Sequence, residues 1–197
     1  MLSINVKTNI DQVIRTLDQR FRKQIPFATS KALTATAKDV QRALTEEINQ
    51  VFDRPTPFTQ RAIGMTASNK QTLTAKVFIK DIQAAYLKLE VSGGTRLPAK
   101  RAIVIPVEVA RNQYGNMTRG KLKQLLARKD VFSGTVRGIP GIWQRNRKGG
   151  VKLLIAYTPR AQYKRLYPFY EIAKREVERK LLPNFREAFA YAIATAR

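Results

Sequence analysis

The chain has no cysteine and no histidine. Without cysteine it forms neither a disulfide nor a thiolate metal site. Without histidine it lacks the most frequent general base and the commonest imidazole ligand. Acids are scarce as well: 14 Asp and Glu stand against 37 Lys and Arg, giving a formal charge of +23. No apolar run approaches the roughly 20 residues of a membrane-spanning helix. The N-terminal stretch Met1 to Lys7 is too short and too polar for a secretory signal. Together these absences predict a soluble protein made in a cytoplasm, with no cofactor, no metal and no membrane partner.

What is present is enough to fold. The 197 residues are 44% hydrophobic, with nine Phe, seven Tyr and one Trp. A disordered basic tail lacks such residues. The length suits one domain spanning 1–197, with a basic elaboration at about 96–165. Seventeen of the Lys and Arg fall between Arg96 and Arg165, against two acids, Glu108 and Asp130, so this stretch alone has a net charge of +15. Charge at that density repels itself unless something screens it, and the common screen near a basic protein is nucleic acid.

Periodicity predicts an α+β architecture, with long amphipathic helices packed on a mainly antiparallel sheet. Leu2 to Val6 alternates as a short strand. Asn9 caps a predicted helix from Ile10 to about Lys23. Pro26 sits where the first turn of a second helix would place it. That helix has the stripe Leu33, Ala37, Val40, Leu44, Ile48 and Val51, and it ends before Pro55 and Pro57. A strand is predicted over 72–80, then a short helix stopped by Gly93-Gly94. Strands follow at 102–109, 131–137, 142–145 and 151–157, with a short basic helix over 121–128. Pro106 argues for an edge strand or a bulge. The turn Arg147-Lys148-Gly149-Gly150 makes a hairpin of the last two strands. Pro168 opens a long C-terminal helix whose stripe, Phe169, Ala173, Val177, Leu181, Phe185, Phe189 and Ile193, recurs every four residues. This helix is expected to kink or break near Pro183. The stripe exceeds what one small sheet covers, so part of it is expected to meet another subunit.

Gly115 to Lys121 fits most of the phosphate-loop pattern, but Leu122 stands where a Ser or Thr must hold magnesium. A flexible surface loop is the better reading. Glu46-Glu47 and Glu176/Glu178 are the closest carboxylates; neighbours one or two apart on a helix face different ways, so a solvated face is expected rather than a metal site. No catalytic residue is identified. The remaining candidates are basic. Arg119, Lys121, Lys123, Arg128 and Lys129 cluster around the short helix, and Arg145, Arg147, Lys148 and Lys152 cluster at the hairpin. Tyr114 and Trp143 lie nearby, positioned either to stack on bases or to pack. A solvated surface is the bland alternative for any one of these cations. For the cluster, polyanion contact is favoured because so little acid is interspersed. No exposed helix carries a base-reading set of Asn, Gln and Arg, so contact is expected to ignore sequence.

Several segments, taken in order, resemble a known family. Ile25-Pro26 precedes an alanine-rich amphipathic helix. The middle of the chain is strongly basic. Ile139-Pro140-Gly141-Ile142-Trp143-Gln144-Arg145 leads to a glycine turn and a strand. Tyr167-Pro168 opens a charged helix that reaches Leu182-Pro183 and Ala188. In this order they are similar to the minor tail protein Z, or tail-completion, family of lambda-like tailed bacteriophages. Tyr86 to Glu90 with Gly93-Gly94-Thr95 resembles a broader class of tail-completion and neck proteins. The stretch from Arg96 to Met117 departs from the family pattern. The resemblance implies a non-enzymatic virion protein that forms a homo-oligomeric, commonly hexameric, ring at the head-proximal end of the tail. Its implied partners are a tail terminator or tail tube protein, the head–tail connector and double-stranded DNA. It would reside in the virion, and in the host cytoplasm during assembly. The competing readings are a free, non-sequence-specific nucleic-acid-binding protein and a nuclease. The lack of His and of suitably spaced carboxylates weighs against the nuclease.

Overall fold

The computed structural model describes residues 3–6, 19–147 and 149–195. Most of the helix expected from Ile10 to Lys23 lies outside them. The fold is α+β, and every strand pairing is antiparallel. The chain forms two compact units: residues 1–91 with 166–197, and residues 92–165. Among the described residues the strands form three separate sheets rather than one.

The first unit is built on two long helices and a small sheet. Helix α1 runs from Gln19 to Val51, 33 residues, with Pro26 inside it rather than at its start. An interior proline costs roughly 3 kcal/mol of helix propensity. The segment around it is packed, with Ile25 and Ala28 3% and 0% exposed. Strands β1 (Ser3–Val6), β2 (Ile63–Thr66) and β3 (Ala75–Ile79) make a sheet in the order β1-β3-β2. Alternation turns Ala75, Val77 and Ile79 inward. They meet Leu33, Ala37, Val40, Leu44 and Ile48 of α1 in one core. The short helix α2 (Pro57–Gln60) is capped by Thr56, whose hydroxyl accepts from Thr59 N. Helix α3 (Asp81–Ser92) adds Leu87 and Val91 to the core.

The second unit holds a four-stranded sheet in the order β5-β8-β7-β6: β5 (Ile103–Pro106), β6 (Val131–Val136), β7 (Ile139–Arg145) and β8 (Val151–Thr158). Pro106 lies on the edge strand, where a missing N–H donor does least harm. Arg137 and Gly138 close the β6–β7 hairpin, both at positive φ, +50° and +78°. Two positive φ values in a two-residue turn match the twist of the strands they join. Helix α4 (Lys121–Leu126) packs Leu122 and Leu125 with Val131, Ile142, Leu154 and Ile155. A separate ladder pairs β4 (Gly94–Arg96) with β9 (Ala161–Tyr163).

The chain then returns to the first unit. Helix α5 (Phe169–Ala194, 26 residues) packs antiparallel along α1. Tyr167 and Phe169 meet the C-terminal half of α1, where the Tyr167 hydroxyl donates to Leu44 O at 2.9 Å. At the other end Ala188 and Ala192 pack on Ala28 and Ala32. Helix α5 continues through Pro183 as one helix, so of the kink or break expected there a break does not occur. The residue after it is anchored, because Asn184 Nδ2 donates to Thr36 Oγ1 at 3.1 Å and to Asp39 Oδ2 at 3.0 Å.

Candidate nucleic-acid interface

The unit 92–165 contains all seventeen cations of the basic stretch and both of its acids. Each acid has an ion-pair partner within the unit. Asp130 takes the Arg128 guanidinium in a two-pronged contact, with Nε at 3.0 Å and Nη2 at 2.6 Å. Gln144 Nε2 donates to the same carboxylate at 2.8 Å. Arg128, and then Gln144, hold the Asp130 carboxyl below its usual range. Glu108 pairs with Lys152 Nζ at 2.7 Å. Among the described residues, Arg128 and Lys152 are the cations that these two acids engage, in a unit whose sequence sets seventeen cations against two acids.

The nine candidate cations divide by place. The β6–β7–β8 register aligns Val131 with Gln144 and Gln144 with Lys152. Arg145 N also donates to Asp130 O at 2.8 Å. These contacts gather Arg128, Lys129, Arg145 and Lys152 at one end of the sheet, beside the hairpin turn that bears Arg147. Arg145 lies with its guanidinium 4.4 Å from the Phe132 ring centroid, so an aromatic face supports it without neutralising it. Arg119, Lys121 and Lys123 sit apart, on the loop before α4 and on the helix itself. Leu122 and Leu125 turn inward there, leaving Lys123 exposed and Lys121 half-buried. Lys148 lies outside the described residues.

Two aromatic candidates differ in availability. Trp143 is 6% exposed, held in the sheet, with its Nε1 buried and without a partner among the described residues. It packs and presents no face to a base. Tyr114 is half-buried. The start of the glycine loop before α4 is folded on itself. The amides of Tyr114, Gly115 and Asn116 all donate to Asn112, through its Oδ1 or its carbonyl. Its helix, six residues long, is also too short to lie along a major groove and read bases.

The unit has cations that sequence reasoning passed over. Arg137 is exposed at the β6–β7 tip, and Arg160 is exposed after β8. The Arg-Gly pair between two alternating runs was the available signal for Arg137. Arg111 has an internal role, its guanidinium donating to the carbonyls of Pro106 and Val107 at the end of the edge strand. Among the described residues, no group of three or more acids is placed to hold a metal ion, and no helix is long and apolar enough to cross a membrane. No family model matches the chain, no curated protein matches it, and no solved structure matches it.

Proposed function

We propose that this protein is a virion structural subunit, a tail-completion or neck component at the head-proximal end of a phage tail. It joins tail to head and meets the duplex through phosphates alone. The observation that supports this reading is the unit 92–165, whose sequence sets seventeen cations against two acids. Such a surface gains affinity by releasing counterions from a polyanion and carries no sequence information. The apolar positions Leu182 and Ile193 of α5, 56% and 42% exposed, offer contacts between neighbouring subunits of a ring. The ordered sequence resemblance supplies the phage context. On this reading the protein has no catalytic role.

The decisive experiment neutralises Lys121, Lys123, Arg145, Arg147 and Lys148 together, each to alanine. The expected product is a folded protein whose duplex affinity falls. Its log–log salt slope becomes shallower by about 0.9 for each phosphate that is no longer neutralised. Tail-to-head joining should drop with it, and an undiminished yield of infectious particles would overturn the proposal. Sizing of the purified protein separates the alternatives. A ring, or co-purification with tails, supports the neck reading. A monomer or dimer with tight, salt-sensitive DNA affinity supports a free nucleic-acid-binding protein.

A further inference from the structure

A depression of about 510 Å³ lies in the first unit, between one side of α1 and the turn that joins β2 to β3. From α1 it takes Phe27, Lys31, Thr34 and Lys38, spaced to share one helical side. From the turn it takes Asn69 and Lys70. Three of its lining residues are cations and none is an acid. Two of the ammoniums rest on aromatic rings instead of carboxylates: Lys31 Nζ is 3.2 Å from the Tyr191 centroid and Lys70 Nζ is 5.0 Å from the Phe27 centroid. Cation–π contact holds an ammonium in place without cancelling its charge.

The neutral polar groups point to the same kind of ligand. Thr34 Oγ1 accepts from Ser68 N at 3.1 Å, which leaves its hydroxyl hydrogen to donate. Asn69 Oδ1 accepts from Gln71 N at 2.9 Å and from Thr72 N at 2.8 Å, so its amide NH2 is the end left to donate. Cations and donors therefore dominate the lining, and the Thr34 and Asn69 oxygens already accept hydrogen bonds from the protein. Phe27 supplies an apolar wall. The volume falls within the range of small-ligand sites, roughly 300–1,000 Å³, and is far too small for a duplex.

We propose that this depression binds a nucleotide, with the lysines and the Thr34 and Asn69 donors on its phosphates and the nucleoside against Phe27. Three ammoniums match the charge of a diphosphate better than that of one phosphate. The nucleotide is either free or part of a single strand, and both present the same phosphate-plus-ring chemistry. The inference does not rest on the neck reading, because the site lies in the other unit.

The test titrates the full-length protein with ADP, with inorganic pyrophosphate and with a hexathymidylate strand, following heat or fluorescence. The expected result is saturable binding at one site per chain, of ADP to the parent protein or of the strand to the variant with alanine at Lys121, Lys123, Arg145, Arg147 and Lys148, in which the other unit's polyanion surface is weakened. Lys38→Glu and Lys70→Glu should each weaken it at least tenfold, while Lys38→Arg and Lys70→Arg retain it and rule out misfolding as the cause. Alanine at Lys121, Lys123 and Arg147 of the other unit should leave ADP binding unchanged. ADP binding assigns a free nucleotide; strand binding without ADP binding, still sensitive to Lys38 and Lys70, assigns a single strand. Absence of binding by both, or binding indifferent to Lys38→Glu and Lys70→Glu, would overturn the site. Pyrophosphate binding as tight as ADP, together with no effect of Phe27→Ala, would overturn the nucleotide assignment.

Discussion

Glu90 lies near the end of α3, where its backbone carbonyl accepts from both Leu166 N and Tyr167 N at 2.9 Å. Its Oε2 is buried with no hydrogen-bond partner among the described residues. Burial pushes this carboxyl above its usual range. The native state thus binds the proton more tightly than the unfolded state does. The corresponding stability is fully present below the unfolded carboxyl value and is lost as pH rises through the higher folded one. Glu90→Gln should therefore be more stable than the parent at neutral pH and lose that advantage in acid. Urea unfolding at both pH values checks this, and a gain of equal size at both would refute it. The sequence marked Glu90 only as an acid in a short segment, because burial of a single oxygen depends on chain brought from far away. Gly141 shows the same limit. A Cβ there would collide with the carbonyl of Ile155 on the neighbouring strand, a demand invisible before the strands are paired. The charged cluster was legible because it is a matter of composition. The engagement of Lys152 by Glu108 was not, since it joins residues distant in sequence.

At the scale of elements, legibility followed periodicity. The α1 stripe Leu33, Ala37, Val40, Leu44 and Ile48 is buried throughout, because its mixed steps of three and four track the helix. The α5 stripe repeats every four residues, and each such step overshoots a full turn by about 40°. After six steps the stripe has drifted by roughly 240°. Phe169 and Ala173 are accordingly buried, whereas Ile193 is 42% exposed; Ala188 and Ala192 take the inner positions instead. The strands β2, β4 and β9 were missed because three or four residues contain too little alternation to register. Small residues set the close approach of α1 and α5 at their alanine end. Ala32→Leu forces three extra carbons into a position 1% exposed, between Ala28, Ala188 and Ala192. It should lower stability by about 1–3 kcal/mol, read as a drop in urea midpoint. An unchanged midpoint would mean that the helix pair separates without cost, against the packing described.

For the whole molecule, charge is the property that no single contact resolves. Of the net +23, the unit 92–165 carries +15, leaving +8 for the other. The ion pairs cannot balance this, since exposed pairs contribute only about 0–1 kcal/mol each. Self-repulsion within the basic unit therefore opposes its compact state, and it weakens as added salt shortens the Debye length from about 10 Å at 0.1 M to about 3 Å at 1 M. Raising sodium chloride over that range should raise the thermal midpoint of the wild type. Salt also strengthens apolar burial, so a rise alone does not isolate electrostatics. The alanine variant at Lys121, Lys123, Arg145, Arg147 and Lys148 does isolate it. Removing five positive charges should raise its midpoint at low salt and flatten its salt response, so that the two proteins converge at high salt. Scanning calorimetry of both across the series reads this directly. Parallel curves would show that the cations are already screened within the fold, and the case for an external polyanion would lose its physical basis.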